Sequence, residues 1–67
     1  MTQPTCEKCG RRLYAQYSWV GGRGDVLMWK CPAADATGNW DDFLSHTKRE
    51  VTTVEAEALR AGDLAPN

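Results

Sequence analysis

The chain has 67 residues, three cysteines and a formal net charge of −1 at pH 7. This length allows one small domain, and a core of that size is marginal without an added staple. The odd number of cysteines argues against a framework of paired disulfides. The sequence contains no apolar run of the roughly 20 residues that a membrane-spanning helix needs, and residues 1–5 lack a signal-peptide pattern. We therefore expect a cytoplasmic protein without a membrane anchor.

The first predicted element is a tight turn that carries two of the cysteines. Cys6 and Cys9 are separated by two residues, and Gly10 lets the backbone turn beneath the sulfur atoms at little steric cost. Thiols at this spacing, with another Cys downstream, are typical of a zinc site. A thioredoxin-type redox motif would need a helix after the second thiol, whereas a strand is predicted here. We expect Cys6, Cys9 and Cys31 to bind Zn²⁺.

A β-hairpin is predicted to follow the turn. Residues 13–20 and 25–30 are rich in aromatic and β-branched side chains, and the glycine-rich segment 21–24 suits a tight turn between them. A turn centred on Gly22 and Arg23 would place Trp19 opposite Val26. In this register the predicted core face carries Leu13, Ala15, Tyr17, Trp19, Val26 and Met28.

The opposite face of the hairpin is the predicted contact surface. It combines aromatic and arginine side chains, which occur at protein-interface hot spots and on platforms that stack nucleic-acid bases. With two neighbouring arginines, the predicted partner-binding residues are Arg11, Arg12, Tyr14, Gln16, Arg23 and Trp29. The alternative is that Tyr14 and Trp29 only cover the metal site and the edge of the core.

The C-terminal half is predicted to be helical. Asn39 suits a helix N-cap, Asp41 and Asp42 suit the first helical turn, and Gly62 suits a C-terminal stop. Residues at helical spacing would form one apolar stripe that covers the hairpin; they are Trp40, Leu44, Thr47, Val51, Val54, Ala58 and Ala61.

Two readings of this half remain open. One is a single long helix, whose stripe could also pair with its copy in a helix-mediated homodimer. The other is two short helices broken near residue 51, because Thr52 and Glu55 match a capping box that would start a new helix. Either way, the sequence predicts one small zinc-stabilised α+β domain over residues 1–67. Residues 4–38 form the knuckle and hairpin, residues 39–61 the helical part and residues 62–67 a tail.

The segment of about residues 4–38 resembles the zinc ribbons and related two-knuckle zinc fingers. The likeness is carried by Cys6-x2-Cys9-Gly10, the hairpin and Cys31-Pro32. It implies a module that contacts protein or nucleic acid within transcription, replication or translation machinery. The chain departs from the pattern at Ala34, where a second knuckle would have a Cys.

Either the fourth metal ligand lies elsewhere, or a ligand has been lost at this position by divergence or by engineering. His46 is the favoured candidate, because Asp42 or Glu50 lies one helical turn away and could orient the second ring nitrogen. Asp35 is another candidate, and water or a group from a partner molecule is the third. An open position would suit a zinc enzyme, but no His-x-Glu or His-Glu-x-x-His sequence supplies a general base.

These observations favour a non-enzymatic zinc-binding module that acts as a small regulator or accessory subunit. A protein partner is favoured over nucleic acid, since contacts to phosphates need clustered cations and the net charge is slightly negative. A nucleic-acid-binding zinc ribbon is the alternative, and a zinc enzyme is a lesser one. The chain is expected to be a monomer or the helix-mediated homodimer.

Overall fold

The computed structural model describes residues 1–67 and shows a small α+β fold, the class expected from the sequence. In chain order the elements are β1 (Tyr14–Val20), β2 (Gly24–Lys30), α1 (Pro32–Ala36), α2 (Trp40–Ser45), β3 (Lys48–Glu50) and α3 (Thr53–Ala61). The strands form one antiparallel sheet in the order β1-β2-β3. None of the helices is both long enough and apolar enough to cross a membrane.

The hairpin forms as predicted, but its predicted register is wrong by one residue. Trp19 pairs with Asp25, not Val26, and the strands close on the pair Val20 and Gly24. The loop therefore has three residues, and the Arg23 N–H donates to the Val20 carbonyl at 2.9 Å. Gly24 at φ 74° is part of the reason, since only glycine adopts this backbone conformation readily at the start of the return strand.

The shift exchanges the two faces of β2, because side chains alternate along a strand. The inner face of the sheet carries Leu13, Ala15, Tyr17, Trp19, Leu27 and Trp29, and the open face carries Tyr14, Gln16, Ser18, Val26, Met28 and Lys30. Trp29, predicted for the contact surface, is instead fully buried. Tyr17 and Trp19, predicted for the core, are 69% and 75% exposed. Val26 and Met28, also predicted for the core, are only half-buried.

The single long helix, one of the two readings left open for the C-terminal half, does not form. The reading with two helices is closer, but an unpredicted strand, β3, lies between α2 and α3, and the predicted connector contains the short helix α1. β3 pairs with the free edge of β2, and the Val51 N–H donates to the Leu27 carbonyl at 3.0 Å. The apolar stripe is therefore interrupted, and Trp40, Leu44 and Val54 are exposed.

The predicted helix ends are confirmed. The Asn39 side chain accepts a hydrogen bond from the Asp42 N–H at the start of α2. Thr52 and Glu55 form a complete capping box at the start of α3, and Gly62 ends that helix at φ 86°. Each of these signals involves residues within one helical turn, so the distant rearrangement of the chain does not disturb them.

The core lies between the inner face of the sheet and α3. Its buried apolar residues are Cys6, Leu13, Trp29, Cys31, Ala34, Val51, Ala58 and Leu64. The predicted tail thus supplies a core residue, Leu64. The two ends of the chain also meet, because the Gln3 side chain hydrogen-bonds both the N–H and the carbonyl of Ala65 at 2.9 Å.

Candidate metal centre

Four side chains from distant parts of the chain converge on one point. The sulfur atoms of Cys6, Cys9 and Cys31 and a ring nitrogen of His46 all lie within 4.8 Å of one another. Cys6 Sγ is 3.4 Å from His46 Nδ1, and Cys9 Sγ is 3.5 Å from Cys31 Sγ. Three thiolates and one imidazole are a donor set that zinc takes in tetrahedral structural sites. The group can hold a metal ion.

The turn around Cys6 and Cys9 is held by its own backbone. The Gly10 N–H donates to the Cys6 carbonyl at 2.8 Å, and the Cys6 N–H donates to the Arg11 carbonyl at 2.9 Å. Gly10 has φ 74°, as expected for the residue that lets the chain turn back. Cys6 is buried and Cys9 is exposed, so the cluster lies at the surface of the fold with one sulfur toward solvent.

Cys31 enters the cluster from the junction between β2 and α1. It caps α1, whose first residue is Pro32, and the Ala34 N–H donates to the Cys31 carbonyl at 3.1 Å. The backbone thus turns into a short helix directly after Cys31. Ala34, at the position of the absent cysteine, is buried in the apolar core instead.

His46 is the C-cap of α2 and brings the fourth donor atom. Its side chain is 5% exposed, with Nδ1 toward Cys6 and Nε2 at 3.4 Å from the Asp42 carboxylate. A proton on Nε2 shared with Asp42 leaves the lone pair of Nδ1 free for a metal. Of the two carboxylates expected to orient this ring, Asp42 does so, whereas Glu50 pairs with Arg23.

Asp42 is itself held by a residue of the N-terminal turn. The Lys8 ammonium group donates to the Asp42 carboxylate and, at 2.6 Å, to the Ser45 hydroxyl. The hydrogen bond from Lys8 is the main reason why the pKa of Asp42 is lowered, so this carboxylate stays ionised beside the imidazole. The sequence did not indicate this role of Lys8, because lysine and aspartate are 34 residues apart and meet only in the folded chain.

Thr47 forms a second clamp between α2 and the N-terminal turn. Its hydroxyl accepts a hydrogen bond from the Glu7 N–H at 3.0 Å, and its own N–H donates to Cys6 Sγ at 3.5 Å. Thr47 was predicted to lie in an apolar helix stripe, and its two hydrogen bonds to the N-terminal turn were not predicted. The Thr side chain next to a candidate ligand was the only available signal.

The surroundings of the sulfur atoms favour ionisation of Cys6. Burial opposes its ionisation, but hydrogen bonds from the backbone, first from Thr47 and then from Cys9, are the main causes that lower its pKa from 9.0 to about 5. Burial and the neighbouring Cys9 thiol instead raise the pKa of Cys31. A bound cation would favour the thiolate at each of these positions.

Asp35 is not brought into the cluster. Its carboxylate accepts a hydrogen bond from the Tyr14 hydroxyl. Burial, followed by this hydrogen bond, raises the pKa of Tyr14 to about 12. The pair ties α1 to β1 near the cluster, which gives Asp35 a structural contact and leaves His46 as the candidate for the fourth position.

The residues predicted to contact a partner do not form one continuous surface. Arg11, Arg12 and Gln16 are exposed, and Tyr14 is half-buried. Arg23 is engaged by Glu50 in two hydrogen bonds, at 2.8 and 2.9 Å. Trp29 is excluded from any surface, because its indole lies in the core.

Comparisons with protein-family models, curated proteins and solved structures find no match to this chain. The likeness to zinc ribbons is therefore supported only at a coarse level. A Cys3His group that can hold a metal ion lies beside a small β-hairpin and short helices, an arrangement compatible with a zinc-binding fold.

Proposed function

We propose that this chain is a non-enzymatic zinc-binding module that acts by binding another macromolecule. The convergence of Cys6, Cys9, Cys31 and His46 within 4.8 Å carries the proposal. Soft thiolate ligands with one imidazole suit Zn²⁺ better than the hard cations Mg²⁺ and Ca²⁺, which prefer oxygen. Backbone and side-chain contacts already hold Cys6 and His46 in place for the ion.

The donor count supports a structural role for the zinc. Catalytic zinc sites keep one of four positions open for water or substrate, whereas structural sites are filled by the protein. Here the protein offers four donors. Asp42, the nearest carboxylate to the imidazole, is engaged by Lys8 and His46. We therefore infer that the molecule acts by binding a partner at its surface, and that the zinc serves to hold the fold together.

The open face of the sheet is the proposed surface for a protein partner. Helix α3 covers the inner face, where Glu55 accepts a hydrogen bond from the Trp29 indole at 3.0 Å. On the open face, Val26 and Met28 are half-buried beside Gln16 and Lys30. Methionine adapts its shape to a partner, and a small apolar patch with a polar rim is typical of protein interfaces. A small regulator or accessory subunit of transcription or replication machinery would use such a surface.

Nucleic acid is the second candidate partner, and one observation favours it. Lys30 and Lys48 lie directly opposite each other on the open face, where β2 pairs with β3. Like charges in that position are unfavourable for the sheet by itself. A phosphate group bound between them would relieve the repulsion, and its binding would weaken steeply with salt.

The test is differential capture of a partner by zinc-loaded protein. We expect Met28→Glu to lose a partner that the wild type captures, because a buried carboxylate would be placed in the interface. Val54→Glu is the matched control, since Val54 is 59% exposed on α3, away from the open face. Equal capture by both variants would contradict the proposed surface. Shallow salt dependence would indicate a protein partner, and a steep dependence would indicate nucleic acid.

A further inference from the structure

The outer edge of β1 is only partly covered. β1 is the first strand of the sheet, so one of its edges has no neighbouring strand. The Ala15 N–H on this edge donates to the Pro66 carbonyl at 2.7 Å, so the C-terminal segment covers the edge up to Ala15. Along a strand, successive N–H groups point alternately toward and away from the neighbouring strand. The N–H groups of Tyr17 and Trp19, two and four residues after Ala15, therefore also point away from β2. Neither has a backbone partner on this edge.

The uncovered part of the edge lacks the usual protection against pairing. Natural edge strands carry lysine, proline or a bulge that prevents another strand from adding. Residues 16–22 contain no charged residue and no proline. They do contain Tyr17 and Trp19, which project from the inner face and are 69% and 75% exposed. This combination of free backbone groups and exposed aromatic rings is typical of a strand that pairs with another chain.

We propose that this edge pairs antiparallel with the same edge of a second copy of the chain. Two three-stranded sheets would join into one six-stranded sheet. The contact is isologous, so each copy would contribute the same residues. This inference goes beyond the proposed function and does not depend on the identity of any partner. It would also double the width, across the strands, of the open face proposed above as the partner surface.

The covered residue Ala15 determines the register of the pairing. A twofold axis at Ser18 would bring the partner's Gly21 opposite Ala15, where Pro66 already lies. An axis at Trp19 instead places the partner's Gly21 opposite Tyr17, and the partner's strand then ends before it reaches Pro66. In this register Trp19 faces the partner's Trp19, and their outward backbone groups exchange hydrogen bonds.

The aromatic side chains are well placed for this register. The Trp19 ring lies over Gly21, since a Cβ atom added there would be 3.7 Å from the ring. Gly21 is opposite the partner's Tyr17, so that tyrosine would pack against the Trp19 ring. Cross-strand aromatic pairs stabilise antiparallel sheets. Because the paired segment is uncharged, no like charges would meet across the axis.

The area of contact predicts a weak dimer. An aromatic side chain buries about 150–250 Å², so two tyrosines and two tryptophans that are about 70% exposed would contribute roughly 400–700 Å². A specific interface needs about 1,000 Å² in total, and the paired backbones would supply the remainder. We therefore expect a dissociation constant on the order of 10⁻⁴ M, as for small transient interfaces.

Sedimentation equilibrium of the zinc-loaded chain tests the proposal. The protein concentrations should reach about 1 mM, so that they span the dissociation constant expected from the interface size. We expect a monomer–dimer equilibrium, and Trp19→Lys should raise the dissociation constant by roughly 30-fold, the effect of a typical hot spot. Trp40→Lys is the matched control, because Trp40 is 69% exposed, close to the 75% of Trp19, but lies on α2. It should dimerise like the wild type.

Tyr17→Pro provides a second variant that tests the backbone pairing itself. Proline removes the outward N–H of Tyr17 but leaves the hydrogen bonds between β1 and β2 intact, and proline is tolerated on edge strands. It should abolish dimerisation while unchanged zinc content shows that the fold is retained. The proposal is overturned if the wild type stays monomeric throughout the range, or if Trp19→Lys and Trp40→Lys have equal effects. Unchanged dimerisation of folded Tyr17→Pro would also overturn it.

Discussion

At the scale of single residues, the fourth ligand depends on a chain of contacts. His46 Nδ1 faces the sulfur cluster because Asp42 lies at Nε2, and Asp42 is held by Lys8 from the N-terminal turn. A carboxylate at the other ring nitrogen fixes both the orientation and the tautomer of a metal-binding histidine. Lys8 lies between Cys6 and Cys9, so the same short turn carries two candidate ligands and holds Asp42 beside a third, His46.

Asp42→Ala is expected to weaken zinc binding about 10- to 100-fold, the usual effect of losing a residue that hydrogen-bonds and orients a metal ligand. Asp41→Ala is the control, because Asp41 is adjacent and exposed but makes no contact with the imidazole. Competition with a chromophoric chelator measures both affinities. Indistinguishable affinities of the two variants would mean that Asp42 does not orient His46.

At the scale of elements, the hairpin register decides which tryptophan stabilises the fold. Trp29 is fully buried in the core, whereas Trp19, on the same face of the sheet, is 75% exposed. Their sequence environments are similar, since each lies in a strand between one apolar and one polar residue. Their different burial comes from the tertiary arrangement.

Trp29→Ala should lower the free energy of unfolding by about 3–5 kcal/mol, the usual cost of removing a core aromatic ring. Trp19→Ala should change it by less than about 0.5 kcal/mol, since an exposed ring contributes little to the folded monomer. Chemical denaturation of the zinc-loaded protein, at a concentration too low for dimers, gives both values. A larger loss for Trp19→Ala would contradict the register described above.

Glu55 connects three elements through one carboxylate. Besides its role in the capping box, it accepts hydrogen bonds from the Trp29 indole at 3.0 Å and from the Arg49 guanidinium at 2.7 and 2.8 Å. The hydrogen bonds from Arg49 are the largest cause of a lowered pKa of Glu55, which falls from 4.5 to about 2 although burial opposes the shift. The folded state therefore favours the ionised carboxylate.

This shift predicts a contribution to stability that is present above pH 4.5 and is lost as the pH falls toward 2. Glu55→Gln should lower the free energy of unfolding at pH 7 by on the order of 1–2 kcal/mol, allowing for solvent screening of Arg49. Its difference from the wild type should shrink below about pH 4.5. Glu57→Gln, an exposed neighbour on α3, is the control and should match the wild type throughout. A constant difference for Glu55→Gln across the pH range would exclude the linkage.

At the scale of the whole molecule, the candidate metal centre brings together three separate parts of the chain. Only nine of 67 residues are buried, and three of the nine are the candidate ligands Cys6, Cys31 and His46. The N-terminal turn, the end of β2 and the end of α2 meet at this point. A core this small gains much of its stability from a metal, because structural zinc supplies roughly 10–16 kcal/mol of apparent binding energy.

Chelation is therefore expected to unfold the chain. The wild type should contain one zinc ion per chain by native mass spectrometry, and excess chelator should abolish its helical circular dichroism. Adding zinc back should restore the signal, which separates metal loss from irreversible damage. A chain that keeps its circular dichroism and melting temperature in excess chelator would contradict the proposed role of the metal.

What the sequence determined by itself is local. The two-residue spacing of Cys6 and Cys9, the N-cap at Asn39 and the stop at Gly62 each depend on a few consecutive residues, so their structure follows from short-range sterics and hydrogen bonding. The candidate ligand His46 could be named because the chain has one histidine. These features were predictable without knowledge of the rest of the fold.

What only the tertiary structure decided depends on contacts between distant segments. The hairpin loop can close with two or three residues at little difference in local energy, and burial of Trp29 against α3 favours the three-residue loop. Likewise, the segment Lys48–Glu50 lies between α2 and α3 in the chain, but it forms strand β3 because it pairs with the free edge of β2. Local propensities differ by less than about 1 kcal/mol per residue, so the burial of one large side chain outweighs them.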